Sequence, residues 1–483
     1  MGVFNHMTKN KEVLDGAKTS IRAIEGFVEI LILTVAYYFF FRRGYGEGTF
    51  PAYLGYGKYV LSGVYALLCF VLFQNFEGFK FGYLRLSDVL ISQAIALILA
   101  NFITYWQLCL IANRVISPVP MLILCVVDLV IALGCCWIYS VIYHRLYRPM
   151  NMVMIYGSGS GVSLKYKMAT RRDKYRIQKQ ISVEEGMETI LREIVNFDGV
   201  ILSDLPAETR NDILKFCYQN RIRAYVTPKL TDIIIRGATD ICLFDTPLLL
   251  VRGRGLTITQ RAIKRIFDVV LCAIAMVVAA PIMLIVAIAI KLEDGGPVFY
   301  TQKRASLNGE EFEIIKFRSM IVDAEKEGKS IPATDHDPRI TKVGRIIRAT
   351  RIDELPQILN ILKGDMSIVG PRPERVEHVE EYTKQIPEFG YRLKVKGGLT
   401  GYAQIYGKYN TTPYDKLRLD LMYIENYSLM LDIKLILMTL RIMLKKESTE
   451  GFGHKEGQEQ EVESTAEPTR EERSEEEMAV PGK

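Results

Sequence analysis

Four apolar stretches, near residues 24–41, 59–76, 89–112 and 119–143, precede a fifth from Val269 to Ile290, and these five blocks decide what the chain can fold into. Each approaches or exceeds the roughly 20 residues that a helix needs to cross a hydrocarbon core about 30 Å thick. Hydrophobic residues make up 49% of the sequence and charged ones 24%, so the apolar residues must be gathered in blocks between charged soluble parts. Glu25, Glu29 and Asp128 interrupt the blocks, and acids at such positions face a bundle interior. Tyr37, Tyr38, Tyr105, Trp106, Trp137 and Tyr139 lie towards block ends, as interface anchors do. Lys9, Lys11, Lys18 and Arg22 before the first block, Lys80 and Arg85 between the second and third, and Arg145 and Arg148 after the fourth favour both ends of a four-helix bundle being cytoplasmic. Arg42, Arg43 and Arg114 weigh the other way. No small-residue cleavage signature follows the first block, which therefore reads as a retained anchor.

The fifth block carries Pro281 near its middle, where a proline removes a helical hydrogen bond and clashes with the preceding turn. Arg261, Lys264 and Arg265 flank it on one side and Lys291, Lys303 and Arg304 on the other, so charge gives no direction for a crossing. Four spans already return the chain to the cytoplasm, and a fifth would carry everything beyond it outside. A re-entrant helix, broken at Pro281, dips in and returns instead.

Between the fourth and fifth blocks, Met152 to Tyr156 reads as a strand running into the glycine-rich Gly157-Ser158-Gly159-Ser160-Gly161. Strand-like runs at 199–203 and 222–226, with an amphipathic helical stretch near 207–219, complete a small α/β, Rossmann-like domain. The third glycine comes too early for a dinucleotide fingerprint and no acidic ribose ligand follows at the expected distance, so a structural or regulatory use is favoured over nucleotide binding. After the fifth block, alternating runs at 298–304 and 312–318 joined through Asn308-Gly309 predict a β-hairpin. Apolar residues recur at helical spacing from about 341 to 362, as in a helix lying in the membrane interface. Residues 447–483 are almost free of large apolar side chains and read as a disordered, charged tail. The expected architecture is thus an α+β membrane protein with domains at 1–148, 149–258 and 259–446 and the tail at 447–483.

Eight cysteines show no CxxC pair, five histidines are scattered, and the net charge is only +6. These favour buried cysteines in a reducing compartment over a disulfide or metal framework and speak against a histidine-based zinc site, and no basic, aromatic-interleaved motif points to nucleic acid. Asp335-His336-Asp337 matches a short metal motif of sugar transfer enzymes, but it sits in a polar loop before Pro338 and reads as a decoy. Adjacent Asp353 and Glu354 precede Pro356, which places them at a break or a new helix start. On spacing alone two readings stay open: a solvated acidic pair, or a catalytic pair in which one carboxylate meets substrate while the other binds Mg²⁺ or takes a proton. Basic residues at 339, 342, 345, 348 and 351 wrap around the preceding helix, facing lipid phosphate, substrate or merely water. In Gly370-Pro371-Arg372-Pro373 two prolines restrict the backbone around Arg372, which suits it to present a guanidinium to a phosphate or a uracil carbonyl, with a purely structural turn as the alternative.

Taken together, Lys264-Arg265-Ile266-Phe267-Asp268, the proline-bearing helix, Lys316 to Met320, Asp337 to Thr341, Asp353 to Gln357, Gly364 to Pro373, and Gly397 to Gly401 with Gln404 resemble the bacterial sugar transferases, the monotopic polyprenol-phosphate sugar-1-phosphate transferases, over about residues 261–445. The four apolar blocks and the α/β insert are similar to the long form of that family. Ile352 departs from the pattern, standing where a small polar residue is expected. The resemblance implies that Asp353 attacks a UDP-sugar, forms a phosphosugar-aspartyl enzyme and expels UMP, after which undecaprenyl phosphate takes the phosphosugar. It implies Glu354 as base or, with Asp353, ligand of Mg²⁺. Arg372, with Pro371 and Pro373, would bind the nucleotide, and Arg351, Arg318, Lys303 and Asp420 would join the substrate site. A bacterial inner-membrane enzyme acting on its cytoplasmic face, in contact with membrane lipid and paired as a homodimer, is the resulting expectation. A membrane glycosyltransferase releasing UDP and a non-catalytic assembly scaffold are the alternatives.

Overall fold

The computed structural model describes residues 2–45, 50, 55–146, 149–157, 162–169, 171–253, 255–322, 337–407 and 411–443. The expected tail, Asp335, His336 and most of the glycine-rich turn lie outside them. The chain divides into two compact units, Met1–Gly237 and Ala238–Lys483.

The first unit opens with four long helices, α1 (Gly2–Gly44), α2 (Gly57–Asn75), α3 (Leu86–Ala112) and α4 (Val119–Leu146). Packing runs α1 to α2, α2 to α3, α3 to α4 and α4 back to α1. All four contain a segment long and apolar enough to cross a membrane. Their surfaces invert those of soluble helices: Phe27, Leu67, Phe102, Leu110, Val130 and Trp137 point outward, while Glu29, Gln93 and Asp128 are buried. Inside, these polar groups bond to one another through one oxygen of each carboxylate, with Gln93 donating to Glu29 at 2.9 Å and Tyr65 and Asn101 donating to Asp128 at 2.7 and 2.9 Å.

A four-stranded parallel sheet follows, built from β1 (Met150–Tyr156), β2 (Tyr175–Ser182), β3 (Gly199–Ser203) and β4 (Arg223–Val226) in the order β2-β1-β3-β4. Its helices are α5 (Val162–Ala169), α6 (Met187–Ile194), α7 (Ala207–Gln219) and α8 (Leu230–Arg236). Val153, Ile155, Val200 and Leu202 face one layer with Ile213 and Cys217, and Met152, Met154 and Ile201 face the other. Burial on both faces explains why β1 and β3 read as continuous apolar runs. Gly157 ends β1 where a Cβ would lie 2.2 Å from the Asp204 carbonyl oxygen, so only glycine fits there.

The second unit begins with a hairpin of β5 (Thr239–Leu243) and β6 (Thr246–Leu250) and continues into α9 (Ile258–Asp294). Thr257 and Gln260 form a capping box at the start of α9, and Gly295 ends it in the left-handed region. The break expected at Pro281 is not an interruption: helix is continuous across it. The ring fixes a φ that is itself helical and forfeits one hydrogen bond, which the turns on either side tolerate. Val277, Val278, Ile282, Leu284 and Ile285 of the middle are exposed.

The antiparallel hairpin appears as expected, β7 (Phe299–Ala305) with β8 (Glu311–Phe317), and Asn308 and Gly309 in its loop both have positive φ. The single helix expected over 341–362 does not form. It is divided into α10 (Lys342–Ala349), a 3₁₀ turn (Ile352–Glu354) and α11 (Gln357–Lys363). Arg351 adopts φ +58° and so ends the α-helical path, and Pro356 starts the next helix. Two short parallel strands, β9 (Ser367–Val369) and β10 (Gly398–Thr400), flank α12 (Val376–Gln385) and a 3₁₀ stretch (Pro387–Lys394). The helices α13 (Tyr402–Tyr406), α14 (Pro413–Glu425) and α15 (Leu429–Met443) close the unit.

Candidate active site

Asp353 and Glu354 sit on the 3₁₀ turn, which is closed by backbone bonds from Glu354 N to Arg351 O at 3.2 Å and from Leu355 N to Ile352 O at 3.1 Å. With about three residues per turn, successive side chains diverge by about 120°, so the two carboxylates meet different surroundings. Oε1 of Glu354 accepts from Nη2 of Arg372 at 2.6 Å and from Nζ of Lys316 at 3.2 Å. Among the described residues, no side chain hydrogen-bonds or ion-pairs with the Asp353 carboxylate.

Electrostatics separate the pair further. Burial pushes the Asp353 pKa up and the neighbouring Glu354 charge adds to that, against the pull of Lys316, Arg348 and Arg351. Burial also acts to raise Glu354, but Arg372 and Lys316 outweigh it and hold that carboxyl well below the usual range. Glu354 is thus a fixed anion, and Asp353 is the more basic and more open of the two.

The loop after β9 brings Arg372 to this turn. Gly370 N donates to Thr400 O at 2.8 Å and Gly398 N to Pro371 O at 2.9 Å, which splices the loop to β10. Of the basic series, Arg348 and Arg351 lie in the field of Asp353, whereas Arg339 forks onto Asp337 with a shortest contact of 2.6 Å.

Other expected site residues pair with groups other than the dyad. Arg318 is buried against Asp294 at the end of α9 and packs so closely on Gly296 that a Cβ there would lie 1.8 Å from Nη1. Lys303 is 70% exposed and pairs across the hairpin with Glu311 at 3.2 Å. Asp420 is in the interior, 2.8 Å from Nη2 of Arg392, behind the loop that carries Arg372. Conversely, Lys316 was not singled out as a site residue. The signal was its phase: it occupies the face of β8 that Phe312 and Ile314 bury, and a lysine on an inward face calls for an anionic partner.

No group of three or more His, Cys, Asp or Glu able to hold a metal occurs among the described residues. The Asp353 carboxylate and the Glu354 oxygen not engaged by Arg372 are hard donors that suit Mg²⁺, an ion usually held by one or two carboxylates, water and substrate phosphate.

The stretch that holds this helix and this site is matched in sequence by known proteins. The family described as "Bacterial sugar transferase" matches residues 259–446. A UDP-N-acetylgalactosamine-undecaprenyl-phosphate N-acetylgalactosaminephosphotransferase of Aeromonas hydrophila is 43% identical over 194 residues, 40% of this chain and 44% of that protein. A UDP-glucose:undecaprenyl-phosphate glucose-1-phosphate transferase of Caulobacter vibrioides is 42% identical over 38% of this chain and 69% of its own length. The uncharacterized sugar transferase EpsL of Bacillus subtilis is 38% identical over 40% of this chain and 92% of its own length. The chain belongs to the bacterial sugar transferase family. The match spans less than half the length of the Aeromonas protein.

Proposed function

We propose that this protein transfers a sugar-1-phosphate from a UDP-sugar to undecaprenyl phosphate through a covalent intermediate on Asp353. An Asp353 carboxylate oxygen attacks the β-phosphorus, the bond from that phosphorus to the bridging oxygen breaks, and UMP leaves with that oxygen. A phosphate oxygen of undecaprenyl phosphate then attacks the same phosphorus, freeing Asp353 and leaving a lipid-linked diphosphate sugar. The observation that carries this reading is the asymmetry of the dyad: two cations hold Glu354, while among the described residues no side chain pairs with Asp353. A carboxylate whose proton affinity is raised is the better nucleophile, and Arg372 and Lys316 are placed to offset charge on a diphosphate. Mg²⁺ bound by Asp353 and Glu354 would supply further charge neutralisation. The printed names of the Aeromonas and Caulobacter relatives describe this class of transfer.

The same reading makes α1 to α4 membrane spans and α9 re-entrant, with the catalytic unit on the cytoplasmic face of the bacterial inner membrane. Support comes from the two ends of α9. Near its start Arg265 donates to the Leu362 carbonyl at 2.7 Å and Asp268 accepts from Ser367 at 2.7 Å. At its far end Glu293 accepts from Lys342 N at 2.8 Å and Asp294 holds Arg318. Both ends therefore dock on one compact unit and the apolar middle between them is exposed, whereas a true span would leave its ends on opposite sides of the bilayer.

Identifying the nucleotide product tests the proposal. With a UDP-sugar and undecaprenyl phosphate in detergent micelles, UMP is the expected product; UDP would mark transfer of the sugar alone and overturn it.

A further inference from the structure

Pro371 and Pro373 have no N–H, so the Pro371-Arg372-Pro373 run must be held largely through its carbonyl oxygens. Each of the three is taken. Gly398 N donates to Pro371 O at 2.9 Å, Arg392 Nη2 to Arg372 O at 2.9 Å, and Arg304 Nη1 to Pro373 O at 3.2 Å. The middle contact differs from the others because it falls on the residue whose side chain meets Glu354.

Arg392 lies in the 3₁₀ stretch Pro387–Lys394 and is only 2% exposed. Besides the Arg372 carbonyl, its guanidinium lies 2.8 Å from Asp420 and 3.6 Å from Glu374, and its flat face sits 4.9 Å from the centre of the Phe389 ring. A planar fork with five donors reaches a carbonyl and two carboxylates from one position, which a lysine ammonium does not reproduce. Buried at 1% exposure, Asp420 shares with Glu374 the compensation of this interior cation. Because a proline ring fixes φ on either side, the backbone at Arg372 has little freedom to absorb a displacement, and a shift of its carbonyl carries over to its guanidinium.

We propose that Arg392, braced by Asp420 and Glu374, is a positioning residue that sets where the Arg372 guanidinium meets Glu354. This rests on the reading of Arg372 and Glu354 as parts of the reaction site. It also reassigns Asp420 from substrate contact to the brace of that positioning residue.

A double-mutant cycle on the full chain in detergent micelles tests it. Arg392→Lys keeps a cation beside Asp420 but loses the fork; kcat/KM for UMP release is expected to fall about tenfold, mainly through KM. In an Arg372→Lys background the same change is expected to cost less than about threefold, because its effect passes through Arg372. Equal losses in both backgrounds, or wild-type kinetics for Arg392→Lys, would overturn the proposal. Should Arg392→Lys fail to fold, Asp420→Asn replaces it, with the same non-additivity expected and additivity contradicting it. Titration with UDP separates this inference from the proposed reaction. If the unmodified protein releases no UMP, that reaction fails, yet Arg392→Lys is still expected to weaken UDP binding about tenfold, and unchanged binding would overturn the clamp.

Discussion

Nη2 of Arg372 donates to Oε1 of Glu354 at 2.6 Å, joining the proline-flanked loop to the acidic turn eighteen residues earlier in the chain. This bond helps to hold Glu354 as an anion. Arg372→Lys keeps the charge and loses the planar fork. A charge-assisted hydrogen bond of about 1.5–3 kcal/mol is at stake, so kcat/KM for UMP release should fall roughly ten- to a hundredfold. Steady-state kinetics with a UDP-sugar measure it, and an unchanged value would remove Arg372 from the site.

The pH dependence of the reaction follows from the charges around Asp353. Only its ionised form is a nucleophile, so activity on the acid side rises with pH through the Asp353 pKa, which burial and Glu354 push up. Lys316 pulls that pKa down. Lys316→Met should therefore shift the acid limb of kcat/KM to higher pH, whatever it does to the maximum rate. A shift to lower pH would mean that Asp353 is not the titrating nucleophile.

Glycine at position 296 leaves room for the Arg318 guanidinium. A Cβ there would lie 1.8 Å from Arg318 Nη1, and Arg318 is the link between the end of β8 and Asp294 at the end of α9. Gly296→Ala should lower stability by about 1–3 kcal/mol, read as a drop in Tm, since the guanidinium must leave its buried place. A Tm equal to that of the unmodified protein would contradict this packing.

The seat of α10 against α9 and β8 is a small apolar cluster of Val286, Ile290, Phe317 and Ile347. Truncation by Ile347→Ala should cost about 2–5 kcal/mol, with activity falling as the 3₁₀ turn that follows α10 loses its support. Chemical denaturation in micelles would show the loss, and an unchanged midpoint would place Ile347 outside the core.

Much of this was legible in the sequence where the signal is local. Asn308-Gly309 fixes a hairpin because its residues favour positive φ, and Pro356 marks the start of α11 just after Asp353 and Glu354, although Leu355 before it keeps right-handed helical angles. Other features depended on distant partners. Tyr175–Ser182 was not foreseen as a strand because it carries Arg176, Gln178, Lys179 and Gln180; it lies at the sheet edge, where such residues are tolerated. The division of 341–362 turns on Arg351 in the left-handed region, a position with no glycine to announce it. Asp420 carried a substrate role by resemblance, and only the fold shows its pairing with Arg392.

The most direct test of the account is to trap the enzyme with a UDP-sugar in the absence of undecaprenyl phosphate and map the modified peptide by mass spectrometry. A phosphosugar on Asp353, absent from Asp353→Asn and discharged on adding undecaprenyl phosphate, is the predicted result. Turnover to the lipid-linked product by Asp353→Asn, or an adduct on any other residue, would contradict it.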